Sequence, residues 1–248
     1  MAYGFYLYGI FPSPGPVGLA LEGLDAQPVH SHAIGDFVFL YSEAQQKRYL
    51  SSRKNLLGHE RVLEQAMEKG YRTLLPLQFG LVSKDWASVE EQLIVPKGEA
   101  LRQLFQRLDG RREVGIKLVW NQEAELEALM QENDLLRAER DRLEGKTLSM
   151  DEIVRIGQSI EHAMTVRKDA IIQTCRDRLN THAVEIVEND PLPSVPGMIY
   201  NAAYLIPWDA EPAFGQQVDQ LDTLFSSRLT IRYNNFTAPY NFAQLEAE

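Results

Sequence analysis

Glu113-Val114-Gly115-Ile116-Lys117-Leu118-Val119-Trp120 decides the fold. Apolar and β-branched residues dominate this run, so it reads as a strand. Two long helical patterns follow, one near 122–143 and one from Ser149 to Leu179. Ser149 with Glu152 three residues on has capping-box spacing and marks the second start. Ile153, Ile156, Ile160, Met164, Ile171, Cys175 and Leu179 then form an apolar stripe. On the first helix Leu129, Leu136 and Leu143 recur at heptad spacing, and Gly145 is placed to end it. Asn133 and Arg140 interrupt the alternate apolar positions, so the two stripes predict a helical hairpin over 122–179 rather than an intermolecular zipper. Beyond it come a strand at 183–187, a proline-rich turn at 191–196, a strand at 198–206, a helix at 210–225 and a strand at 228–233. The order β-α-α-β-β-α-β is the ferredoxin-like split βαβ pattern with one helix added.

Reading backwards from Glu113, a different arrangement precedes it. Tyr3 to Ile10 is aromatic and β-prone, and the three prolines within 11–18 require a loop. Gly35 separates two strand-like runs, 28–34 and 36–41, as the turn of a hairpin. Ser42 and Gln45 have capping-box spacing, so a helical stretch is expected to begin there. The main helix is expected near 56–69, stopped by Gly70. A strand interrupted by Pro76 spans 73–82, and helices near 86–95 and 99–108 close at Gly110. The expected architecture is α+β in two domains. Residues 1–109 form a mostly antiparallel sheet with helices, and 110–234 form the ferredoxin-like domain with its hairpin. Residues 235–248 are expected as a C-terminal tail.

Composition narrows the function. With 44% apolar and 24% charged residues the chain reads as a folded globular protein. The net charge of −10 disfavours nucleic-acid backbones and anionic membrane surfaces as partners. No apolar run is long enough to span a bilayer. No Lys or Arg precedes Lys47, so no secretory leader is expected. The single cysteine, Cys175, excludes an internal disulfide and fits a reducing cytoplasm.

Catalytic patterns are weak. Gly145-Lys146-Thr147 resembles the end of a phosphate-binding loop, but Arg140 stands where the first glycine belongs and a helix precedes it. A helix cap is the better reading. His30 and His32 share one face of a strand, a ligand-like spacing, yet no further metal-ligand motif accompanies them. Cys175 lies on an apolar stripe and reads as buried and structural. No Ser-His-Asp signature and no dinucleotide fingerprint occurs. No catalytic residue, metal or cofactor is therefore expected.

The C-terminal run Tyr233-Asn234-Asn235-Phe236-Thr237-Ala238-Pro239-Tyr240-Asn241-Phe242 resembles the signature of the gas vesicle protein F/L family (GvpF/GvpL), in which a strand ends in Gly-Pro-Trp-Pro-Pro-Tyr-x-Phe. Pro239, Tyr240 and Phe242 match; Phe236, Thr237 and Ala238 depart. Tyr6 to Ile10 is similar to the family's opening strand, and His59 to Glu64 with Leu74 to Gly80 is similar to its helix and "LPLRFG" block, with Gln78 in place of Arg. Val114 to Leu118 and Asn201 to Pro207 resemble two further strands. The resemblance implies a non-enzymatic minor gas vesicle component and assembly factor, closer to the F member. Such a protein would bind the hydrophobic major shell protein and other accessory gas vesicle proteins, limit shell-protein aggregation and help nucleate the shell. It would sit in the cytoplasm before assembly and on the gas vesicle afterwards. Phe236, Pro239, Tyr240 and Phe242 are the expected partner contacts. The rival reading is a small-molecule-binding or enzymatic pair of ferredoxin-like domains, which a concave pocket with convergent titratable groups would favour.

Overall fold

The computed structural model describes residues 3–143 and 149–245. The expected cap at Gly145 and the Gly145-Lys146-Thr147 segment lie outside the described residues. The chain divides into two compact units: residues 1–114, 205–208 and 235–248 in the first, 115–204 and 209–234 in the second. This division differs from the expected one at 109/110. The segment from 235 onward belongs with the first unit rather than standing as a separate tail.

In the first unit β1 (Phe5–Pro12) is the central strand. It pairs antiparallel with β3 (Phe37–Glu43), and with the short β4 (Leu75–Pro76) and β5 (Val82–Ser83). β2 (His30–Ile34) pairs antiparallel with β3 through the predicted hairpin, whose turn residue Gly35 has φ +58°. A side chain there would be strained, so glycine suits the turn. The helix expected from Ser42 is not formed. Ser42 lies inside β3, buried, and Ser52 caps the helix instead, its hydroxyl accepting the Asn55 N–H. That helix, α1 (Arg53–Glu68), packs Val62, Leu63, Ala66 and Met67 into a core with Tyr6, Tyr8, Phe11 and Leu40. The two helices expected after it are α2 (Trp86–Val89) and α3 (Val95–Leu108), joined by a π-helical turn at Glu90–Ile94.

Four further strands, most of whose residues belong to the second unit, are β6 (Arg111–Trp120), β7 (Glu185–Glu188), β8 (Met198–Pro207) and β9 (Leu229–Thr237), in the sheet order β7-β8-β6-β9. With α7 (Glu211–Phe225) between β8 and β9, this gives the connectivity of the split βαβ pattern. The α+β class read from the sequence is thus the observed one. The first hairpin arm is broken where one long helix was expected. Asn133 leaves the helical region (φ −108°, ψ 93°), and its side chain accepts the Leu136 N–H at 3.1 Å. Two helices result, α4 (Gln122–Glu132) and α5 (Asp134–Leu143). An asparagine that can bond its own downstream backbone favours a cap over a helix interior. The second arm, α6 (Met150–Leu179), begins with the predicted Ser149–Glu152 capping box. Leu129 and Met130 of α4 meet Met164 of α6, with Leu136 and Ile160 against them, so the stripes pack within the chain.

Candidate functional site

The run after β9 folds back as a strap. Its turn is held by the Phe242 and Ala243 N–H groups, which donate to the Pro239 carbonyl at 3.2 and 2.9 Å. Ala238 and Phe242 are only 2% and 1% exposed, and Pro239 is buried as well. Asn241 fastens the strap to β6. Its backbone N–H and its Nδ2 donate to the two carboxylate oxygens of Glu113 at 2.8 and 2.7 Å. Burial pushes the Glu113 carboxyl up to about 7, outweighing the opposing effect of those two hydrogen bonds. The half-buried Tyr240 turns its hydroxyl inward, where it has no hydrogen-bond partner among the described residues; burial raises its pKa. Phe236 packs edge-on against Trp208, with ring centroids 6.3 Å apart. The Arg112 guanidinium lies 4.5 Å from the Trp208 ring and 5.5 Å from the Phe236 ring, and it donates to the Asn235 carbonyl. Arg72 also stacks on Trp208, at 4.4 Å.

The four expected contact residues therefore fall together, but not on an open surface. Pro239 and Phe242 offer nothing to a partner while the strap is seated, and Phe236 and Tyr240 are half-buried. The sequence offers these residues as partner contacts but does not reveal that Glu113 receives Asn241. The available signal was the carboxylate itself, placed at the head of an apolar strand.

The blocks His59–Glu64 and Leu74–Gly80 meet around Tyr6. The Gly80 N–H donates to the Tyr6 hydroxyl at 3.0 Å, which lies 2.9 Å from His59 Nδ1. His59 Nε2 lies 3.1 Å from the Leu77 carbonyl. Since that carbonyl can only accept, Nε2 carries the proton, and Nδ1 accepts from Tyr6. Burial lowers the His59 pKa to about 4, which keeps the ring neutral. This buried chain ties helix to loop and has no access for a substrate. Gln78, at the position of the family arginine, is exposed.

The remaining sequence candidates take structural places. His32 stacks on Trp86 with centroids 4.0 Å apart, and His30 faces Tyr41 at 5.7 Å. Among the described residues, no three His, Cys, Asp or Glu side chains are grouped to hold a metal. Cys175 is fully buried, and burial pushes its thiol up to about 12, far from thiolate reactivity. No helix among the described residues is long and apolar enough to cross a membrane. In the second unit two adjoining open grooves, of about 410 and 400 Å³, share Leu126 and Ile160. Trp120, Met164 and Gly157 line one, Met130 and Arg137 the other.

Fold and site together define an α+β protein of two units, whose C-terminal strap is locked down by a buried carboxylate. The chain belongs to the gas vesicle synthesis protein GvpL/GvpF family, whose model matches residues 4–244. It is 55% identical to gas vesicle protein F of Nostoc sp. (strain PCC 7120), covering 99% of this chain and all of that one. To gas vesicle protein F of Dolichospermum flosaquae it is 54% identical, over the whole of both chains. The crystal structure of GvpF from Anabaena sp. PCC7120 superposes with a TM-score of 0.83 at 52% identity, covering 98% of this chain and 97% of that chain. That of GvpF from Microcystis aeruginosa gives 0.81 at 55% identity, covering 98% and 100%. The family resemblance read from the sequence is thereby established along nearly the entire chain.

Proposed function

We propose that this chain is a non-enzymatic minor component and assembly factor of the gas vesicle. It binds the hydrophobic major shell protein, limits its aggregation and helps nucleate the shell. It does so from the cytoplasm before assembly, alongside other accessory gas vesicle proteins. The observation that carries this reading is the full-length kinship, residues 4–244, with proteins named for gas vesicle synthesis. Physical chemistry supports it. Subunits that build a shell expose apolar faces before assembly, and an acidic protein that covers such faces keeps them dispersed. This chain carries a net charge of −10 and an open groove that sets Leu126, Ile160 and Met130 among polar side chains. The proposed contacts remain Phe236, Pro239, Tyr240 and Phe242, with the buried pair reached only when the strap lifts. The test is co-purification of the full chain with the major shell protein from the soluble fraction before vesicles mature. Recovery of a complex that Leu126→Asp leaves intact and Tyr240→Asp weakens supports the strap as the contact. The reverse pattern moves the contact to the groove. No association, in solution or in purified vesicles, removes the adaptor role altogether.

A further inference from the structure

One buried carboxylate holds the strap, and its surroundings make that hold sensitive to protons. Glu113 is 4% exposed, and both its oxygens accept from Asn241. Around the strap's Tyr240 stand Glu60 and Glu64 from α1, Tyr6 from β1 and Glu113 itself. Glu64 additionally meets Glu68 and Arg61, and Arg112, next to Glu113 on β6, turns its guanidinium to Trp208 and Phe236. Among the described residues no cation is bonded to the Glu113 oxygens, so the ionised carboxylate is held by dipoles alone.

We propose that Glu113 and Asn241 form a proton-linked latch, which seats the strap when Glu113 is protonated and loosens it when Glu113 ionises. In the neutral form the carboxyl keeps one acceptor oxygen for the Asn241 N–H, and its O–H donates to the Asn241 side-chain carbonyl once that amide turns over. Ionisation leaves a charge in a site without a counter-charge, and opening the strap returns it to water. Opening uncovers Ala238 and Phe242. Its use in partner binding rests on the function proposed above, whereas the latch itself is a property of the isolated chain.

The sign follows from linkage. Burial pushes the Glu113 carboxyl up to about 7 with the strap seated, against an ordinary 4.5. Below the lower value both states are protonated, and the strap is held most firmly. Between the two values opening gains roughly tenfold per pH unit, and above the higher value it levels off. Glu60 and Glu64, both raised by burial, act in the same direction and must be separated.

The experiment is amide hydrogen exchange of Ala238 and of residues 240–243 on the purified full chain from pH 4.5 to 8, corrected for intrinsic exchange. Wild type is expected to lose protection roughly tenfold per unit up to about pH 7 and then to level. Glu60→Gln with Glu64→Gln should keep the slope, and adding Glu113→Gln to that background should flatten it. A carbon NMR titration of the wild-type Glu113 carboxyl should share its midpoint with the exchange profile, which tests the idea even if Glu113→Gln does not fold. A flat wild-type profile, a slope persisting once Glu113→Gln is added to that background, or mismatched midpoints would each overturn the latch. None of these readouts involves the shell protein, so failure here and failure of shell binding are distinguishable.

Discussion

The hydroxyls of Tyr8 and Ser42 lie 2.9 Å apart in the buried core of the first unit. Tyr8 also accepts the Leu24 backbone N–H at 2.8 Å, so one phenol joins β1, β3 and the chain before β2. Tyr8→Phe removes that oxygen and leaves the Leu24 N–H and the Ser42 hydroxyl without it. The expected cost is about 1–3 kcal/mol, read as a lower urea midpoint at unchanged slope. A change of only a few tenths would mean water replaces the phenol.

Phe242 is a core residue in the seated strap. Phe242→Ala should cost about 3–5 kcal/mol. A loss well under 1 kcal/mol would show that the strap spends much of its time unseated.

Glu125 of α4 is wholly buried, bonded to Arg167 of α6, with Arg228 at 3.5 Å. Arg167 reaches Glu132 as well, at 2.7 Å. Removing Arg167 strands the buried Glu125 carboxylate, so Arg167→Ala should destabilise by about 3–5 kcal/mol. The exposed pair Arg102–Asp36 at 3.0 Å is screened by solvent and should contribute little, making Asp36→Asn a control.

His59 and Glu113 predict opposite pH slopes. Folding lowers the His59 pKa from 6.5 to about 4, so its stabilisation is present at higher pH and is lost as pH falls from 6.5 to 4. Folding raises Glu113 from 4.5 to about 7, so its stabilisation is full below 4.5 and lost as pH rises to 7. Between pH 4.5 and 6.5 the two effects offset, and wild-type stability from these groups should be nearly level. Glu113→Gln should unmask stability rising with pH, and His59→Asn stability falling with pH. Denaturant titrations at pH 4.5, 5.5 and 6.5 decide; parallel profiles for all three proteins would refute the assignment.

The alternation around Gly35 and the apolar stripe of α6 specify their elements through periodicity, and both are found. Local polar signals divide: the Ser149–Glu152 box is found, with each side chain bonded to the other's backbone, whereas the Ser42–Gln45 spacing is not used. Ser42 and Gln45 have the same spacing as a cap, but Ser42 is paired across the sheet with Tyr6 of β1, and that pairing prevails over a local hydrogen bond. Asn133 shows the reverse case, a single side chain ending a helix whose leucine spacing continues through it. The strap was legible as a family signature but not as packing. Its seat is made by Glu113, which lies 128 residues away from Asn241 in the chain.

Of the three tryptophans, Trp86 stacks on His32 and Phe5, and Trp208 lies against two guanidinium groups. Only Trp120 lines the groove of the second unit. The molecule therefore carries its own optical probe. Replacing Trp86 and Trp208 by phenylalanine would leave an indole whose emission reports water leaving that groove, so occupancy by any apolar segment can be followed by colour, in real time and without a dye.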